Sequence, residues 1–234
     1  MTLTIHPLAG MPEITRGDDL PALILAAVGR AGLAIQAGDV LVVTHKIVSK
    51  AEGAVAILTG DEEKAYRTLV LEQAVEVIRR RGDLVIAKTR HGFICANAGV
   101  DRSNAAPGTA VLLPRDPDSS AHGIRMAIKA ATGIDVPVII SDTFGRAWRR
   151  GLTDIAIGIS GMAAILDLKG TFDAAGRELH VTEVAVADEI AAAADLVMGK
   201  ASATPAALAR GIEVPAGEGR ATDLVRPPEE DMFR

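Results

Sequence analysis

Apolar residues fall along this chain in short blocks separated by polar turns, and the period inside each block predicts its structure. DLPALILAAVGRAG (19–32) reads as an apolar helix, capped by Asp18 or Asp19 and ended by Gly32. A buried strand over 39–44 follows, and then the polar stretch THKIVSKAEG with Lys46 and Lys50. Residues 63–82 carry the clearest helical period. Val70, Ala74, Val77 and Ile78 share a face, Glu76 and Arg80 pair at i,i+4, and Gly82 stops the helix. DLVIAKT (83–89) and TAVLLP (109–114) read as strands around the turn-rich segment 91–104. A second helix spans 118–133 with Asp118 as cap and Gly133 as stop. VPVIIS and TDIAIGISG read as strands, FDAAGRELHV as a hairpin, 182–199 as an Ala-rich helix and PAALA as a last strand. The tail RPPEEDMFR reads as an extended or disordered arm.

Helices and strands mix without strict alternation, and short turns join neighbouring strands. The expectation is therefore an α+β fold, two-lobed, with mixed or mostly antiparallel sheets and flanking helices. No repeat or linker divides it, so residues 1–234 are expected to form one domain. Composition adds exclusions. A net charge of −5 provides no global basic field for nucleic acid, and 3% aromatic residues provide no base-stacking platform. No apolar run has membrane-spanning length and no signal peptide begins the chain, so no membrane partner is expected. The single cysteine, Cys95, suits a reducing, cytoplasmic setting.

The chemistry concentrates in a few stretches. IISDTFGRAWRRG (139–151) runs a core strand into Asp142 and Thr143 and then into Arg146, Arg149 and Arg150. NAGVDRSN adds Asp101 and Asn104. Carboxylate and hydroxyl oxygens suit Mg²⁺ or Mn²⁺, and arginine forks suit phosphate and carboxylate. A turn-forming role for each aspartate and a solvated face for the arginines compete with that reading. Lys46 and Lys50 beyond a buried strand can meet phosphates as point charges, and His45 either donates to a phosphate or fills a turn. Phosphate-loop, dinucleotide, zinc and serine-nucleophile motifs are absent from the sequence. The residues themselves thus point to a metal-assisted site for phosphorylated anions and leave the reaction open.

In this order, GDVLVVTHKIVSKAEG, HGFICANAGVDRSN, LLPRDPDSSA, IISDTFGRAWRRG, TDIAIGISG, GRELHVTEVAVADEIAAAADLVMGK and RPPEED resemble the coenzyme F420-0:L-glutamate ligase family. The resemblance implies GTP-dependent addition of one or more L-glutamates, later ones γ-linked, to coenzyme F420-0 through an acyl phosphate. It implies a two-lobed α+β fold forming an intertwined homodimer, dependence on Mg²⁺ or Mn²⁺ (one or two ions) and stimulation by K⁺. By motif, Asp101, Asp142 and Thr143 are expected to bind metal. GTP contacts are expected from Ala9, Gly10, Met11 and Pro12, from His45, Lys46, Lys50 and Asn104, and from the turn Met198, Gly199, Lys200, Ala201, Ser202, Ala203 and Thr204. Arg146 and Lys50 are the expected catalytic cations. Archaeal members carry an acidic residue where Lys200 stands, and a small hydroxyl pair where His45 and Lys46 stand. Actinobacterial members continue into a flavin-binding reductase domain, whose activity is not expected here. A metal-dependent phosphoesterase and a non-catalytic nucleotide- or deazaflavin-binding protein are the competing readings.

Overall fold

The computed structural model describes residues 2–233. In chain order the elements are β1 (Thr4–Pro7), α1 (Leu20–Arg30), β2 (Val40–Thr44), α2 (His45–Glu52), β3 (Val55–Ile57), α3 (Glu62–Gln73), β4 (Ala74–Arg81), β5 (Leu84–Thr89) and β6 (Ile94–Ala96). They continue as β7 (Thr109–Val111), α4 (Pro117–Thr132), β8 (Val138–Arg146), β9 (Arg149–Ser160), β10 (Leu166–Asp167), β11 (Glu183–Val184), α5 (Val186–Met198) and β12 (Ala206–Arg210). The expected mixed α+β class holds.

The largest sheet runs β1-β12-β2-β8-β9. Only its central pair, β2 and β8, is parallel; the other neighbours are antiparallel. β2 reads VLVVT because that strand is buried on both faces: Val40, Leu41, Val42 and Val43 are wholly enclosed. With Ile139, Ile140, Ile157 and Leu208 they form the middle of the main core. Burying each such Leu or Ile contributes about 1.5–3 kcal/mol. A second apolar cluster, including Leu58, Val70, Val85, Ala87 and Val100, gathers the segment from β3 to β7. Among the described residues, no helix is long and apolar enough to cross a membrane.

Three local expectations are corrected. The helical period over 63–82 breaks after Gln73, where Ala74–Arg81 becomes β4, paired antiparallel with β5. Val75, Val77 and Ile78 are β-branched and favour that pairing. Gly82, at φ 60°, therefore turns a hairpin between Arg81 and Leu84 rather than stopping a helix, and Glu76 lies opposite Lys88 instead of over Arg80. The second correction is the cap of α4. Asp116 accepts the Ser119 N–H (3.0 Å) because Pro117 is preset for the first helical position. Asp118 instead accepts the N–H groups of Ile159 (2.8 Å) and Ala221 (3.1 Å). The third concerns His45, for which a turn is one of the two expectations: the polar stretch THKIVSKAEG forms α2, opened by His45 and stopped by Gly53 at φ 76°.

β8 and β9 slip register between Ile140 and Ser141, a bulge that re-aims the residues beyond it. The Ala156 N–H at this slip is taken by Asp188 of α5 (2.9 Å). Two residues on, α4 comes so close to β9 that only glycine fits. A Cβ on Gly158 would lie 2.5 Å from the Pro117 carbonyl oxygen. Gly158→Ala is expected to cost about 1–3 kcal/mol. Thermal denaturation should show a Tm lower by roughly 2–4 °C per kcal/mol.

Candidate functional site

Thr44 and Ser141 are the last paired residues of parallel β2 and β8. Ligands of mixed α/β sheets commonly bind beyond the carboxyl ends of such strands. Here β2 turns directly into α2, and β8 continues into Asp142 and Thr143. A cavity of about 410 Å³ opens at this point. Lys46 and Lys50, one helical turn apart on α2, both line it. Met11 and Pro12 form one wall, Asn104 another, and the turn after α5 a third. That turn leaves α5 through Gly199, whose φ 57° and ψ 170° are essentially a glycine conformation. It returns to the sheet where the Thr44 N–H donates to the Pro205 carbonyl (2.9 Å).

Each cation in the cavity is held by an acid or hydroxyl from another segment. Lys46 Nζ lies 2.8 Å from Asp101 Oδ2 and donates to Ser103 Oγ (2.5 Å). Lys50 Nζ pairs with Glu13 (2.5 Å). Lys200 Nζ donates to the Thr143 hydroxyl, which in turn donates to Asp154 Oδ1 (2.5 Å). The nearly enclosed Asp154 also accepts from Ser141 (2.8 Å). Burial raises the Asp195 carboxyl, Asp154 raises it further, and Lys200 offsets part of this. Burial would also raise Asp101, but Lys46 and Ser103 outweigh it and hold that carboxyl below its ordinary value. The loop carrying Asp101 and Asn104 is braced by Arg102, stacked 4.5 Å over Tyr66, and Asn104 adopts φ 55°, which asparagine tolerates.

Most of the expected residues converge here: Met11, Pro12, Lys46, Lys50, Asn104, Asp142, Thr143, Met198, Gly199, Lys200, Ala201, Ala203 and Thr204 all line the cavity. Ala9, Gly10 and Ser202 do not. Asp101 stands behind Lys46. His45 is 1% exposed and lies beneath Asp142 rather than on the cavity surface. Arg146, Arg149 and Arg150 are exposed along the β8–β9 hairpin, where Arg146 donates to the Arg150 carbonyl (3.4 Å). Sequence reasoning missed Glu13, Asp154 and Asp195. Asp154 left a signal, an acid set into the apolar alternation of TDIAIGIS. Cys95 is buried, and its thiol is pushed up to about 12 by burial and by nearby Asp142, which removes it as a nucleophile.

The four lining carboxylates, Glu13, Asp142, Asp154 and Asp195, outnumber the three ammonium groups. A polyphosphate therefore enters most favourably with a cation of its own. Among the described residues no three His, Cys, Asp or Glu side chains converge to cage an ion. Asp142 and Thr143 still fit a magnesium-like ion, which takes one or two carboxylates and fills its remaining positions with water and phosphate oxygens.

A family model described as F420-0:Gamma-glutamyl ligase matches residues 10–211. Relatives named coenzyme F420:L-glutamate ligase include one from Methanothermobacter thermautotrophicus, 42% identical over the whole of both chains. One from Methanocaldococcus jannaschii is 44% identical over 86% of each chain, and one from Methanopyrus kandleri 41% identical over 100% of this chain and 98% of its own. With this cavity built from the segments that the family model spans, the chain belongs to the F420-0:gamma-glutamyl ligase family.

Proposed function

We propose that this chain joins L-glutamate to coenzyme F420-0 in an amide bond, driven by GTP through an acyl phosphate. The observation carrying this reading is the convergence of Lys46, Lys50 and Lys200 with Asp142 and Thr143 on one cavity. The carboxylate of the precursor's lactyl arm attacks the γ-phosphorus of GTP, and the bond to the GDP oxygen breaks. The glutamate nitrogen, freed of a proton, then attacks the acyl carbon; a C–N bond forms and phosphate leaves.

Lys50 and Lys200 bind the phosphates, exchanging Glu13 and Thr143 for phosphate oxygens. Lys46 does the same, and its departure frees Asp101. Asp142 and Thr143, with Asp101 after that exchange, would hold Mg²⁺ or Mn²⁺. Such an ion, once bound, offsets the charge on the phosphoryl group in transfer. Asp195, a cavity carboxyl with raised proton affinity, is the group we assign to take the amine proton. Arg146 lies out on the hairpin and does not line this cavity, so of the two expected catalytic cations only Lys50 is placed to act on the phosphates.

The deciding experiment is mass spectrometry after incubation with F420-0, L-glutamate, GTP and Mn²⁺. The expected product is heavier by one or more glutamyl units and requires every component. Phosphate released from GTP alone, with no heavier product, would overturn the ligase in favour of a phosphoesterase. We further propose that the chain works as a homodimer. Trp148 (85% exposed) and Leu152 on the hairpin, with Val75, Val77 and Leu84 on β4 and β5, leave apolar surface that a second copy can cover. Light scattering should give twice the chain mass at micromolar concentration; a clean monomer would refute this.

A further inference from the structure

His45 opens α2 immediately after Thr44, and Asp142 follows Ser141 on the neighbouring parallel strand. Because Thr44 and Ser141 are register partners, the next residues stand at the same level, where β2 turns into α2 and β8 runs on paired with β9. The imidazole is buried at 1% exposure, with Nε2 3.3 Å from Asp142 Oδ1. That ring nitrogen has no hydrogen-bond partner within ordinary geometry. On the other side of the ring, Nδ1 lies 3.4 Å from the hydroxyl of Ser49, one helical turn along and wholly enclosed. Asp142 Oδ1 also accepts the Thr143 N–H (2.7 Å), whereas Oδ2 has no partner among the described residues.

We infer that His45 is a positioning residue: its Nε2–H donates to Oδ1 of Asp142 and keeps Oδ2 turned to the cavity. The tautomer follows from the surroundings. A proton on Nδ1 alone would aim the Nε2 lone pair at a carboxylate oxygen 3.3 Å away, with the imidazole itself enclosed. A proton on Nε2 gives that oxygen a donor and lets the Ser49 hydroxyl donate to Nδ1. At 3.3 Å the contact is long, and hydrogen bonds of catalytic sites are often long or poorly aligned before substrate binds and tighten in the substrate complex. Second-layer donors of this kind set the orientation of a ligating carboxylate. This inference rests on the proposed role of Asp142 for its functional consequence, but not for its geometry.

The test uses the full-length protein with His45→Gln, His45→Asn and His45→Leu. The Gln amide nitrogen reaches the Nε2 position, the Asn amide reaches only Nδ1, and Leu keeps bulk alone. Mn²⁺ affinity, read by electron paramagnetic resonance without substrates, should stay within roughly threefold in the Gln variant and fall about 10–100-fold in the Asn and Leu variants. Turnover should follow the same order, with kcat reduced and the KM for glutamate little changed. Gln and Leu variants that behave alike would overturn the inference, since packing alone would then explain the residue. A second readout needs neither metal nor turnover. Long-range ¹H–¹⁵N spectra of the unmodified protein should show a proton on Nε2 whose signal shifts in Asp142→Asn. An unprotonated Nε2 would refute the hydrogen bond even in an active ligase, whereas a protonated Nε2 in an inactive protein would count only against the proposed reaction.

Discussion

Asp142→Asn is expected to lower kcat by about 10²–10³, the scale seen when one preorganised charge-stabilising group is removed. The substitution keeps volume and leaves an oxygen to accept the Thr143 N–H, so the melting temperature should stay within a few degrees of the parent. Loss of a carboxylate that holds the ion should show as a higher Mn²⁺ requirement. Raising Mn²⁺ should restore part of the rate. Turnover within about threefold of the parent at ordinary Mn²⁺ would dismiss Asp142 as a metal ligand, because so small a change is far below what a lost carboxylate ligand costs.

Lys50→Met is the second large effect. The methionine preserves the apolar stem of a side chain that is only 12% exposed, so packing should survive. A charge-assisted hydrogen bond to phosphate is worth about 1.5–3 kcal/mol, which predicts a GTP KM raised roughly 10–100-fold. The glutamate KM should move by less than about twofold, because uniform binding is lost only for the ligand that the group touches. Glu13 sharpens the test. It competes with phosphate for Lys50, so Glu13→Gln should lower the GTP KM in the parent and do nothing in the Lys50→Met background. Steady-state kinetics on the four proteins checks this cycle, and additive effects of the two substitutions would refute the competition.

Much of this site was readable before the fold was known, for identifiable reasons. β2 and β8 are apolar blocks too short for helices, and each ends abruptly on polar residues; that contrast marks a strand end whatever surrounds it. The turn after α5 was legible because glycine and small residues follow a long alanine-rich helix. α2 was not, since THKIVSKAEG has too few apolar positions in one turn-length to declare a period, and its helicity depends on packing Ile47 and Val48 into the core. β4 was misread because Val70, Ala74, Val77 and Ile78 satisfy a helical period while the β-branched Val75, Val77 and Ile78 also suit strand pairing; the hairpin partner β5 decides between them. Glu13 and Asp195 carry no local pattern at all. Their role arises from which segments the topology brings together, as does the displacement of Arg146 and its neighbours to the outside of a hairpin.

The strand order β1-β12-β2-β8-β9 also has a meaning in time. The strand lying between β1 and β2 is β12, at residues 206–210, which leaves the ribosome after every strand from β1 to β11. Until it emerges, the first two strands have no common neighbour, and Thr44 has no Pro205 carbonyl to receive its N–H. A growing chain can bury α1, extend β2 and even pair β2 with β8 while its cavity still lacks the wall built from residues 198–205. Binding competence then arrives in one step, once residues 198–210 have been made. A nascent or truncated copy lacking residues 198–210 should be unable to capture nucleotide, and assembly of the site becomes a report that β12 has been delivered.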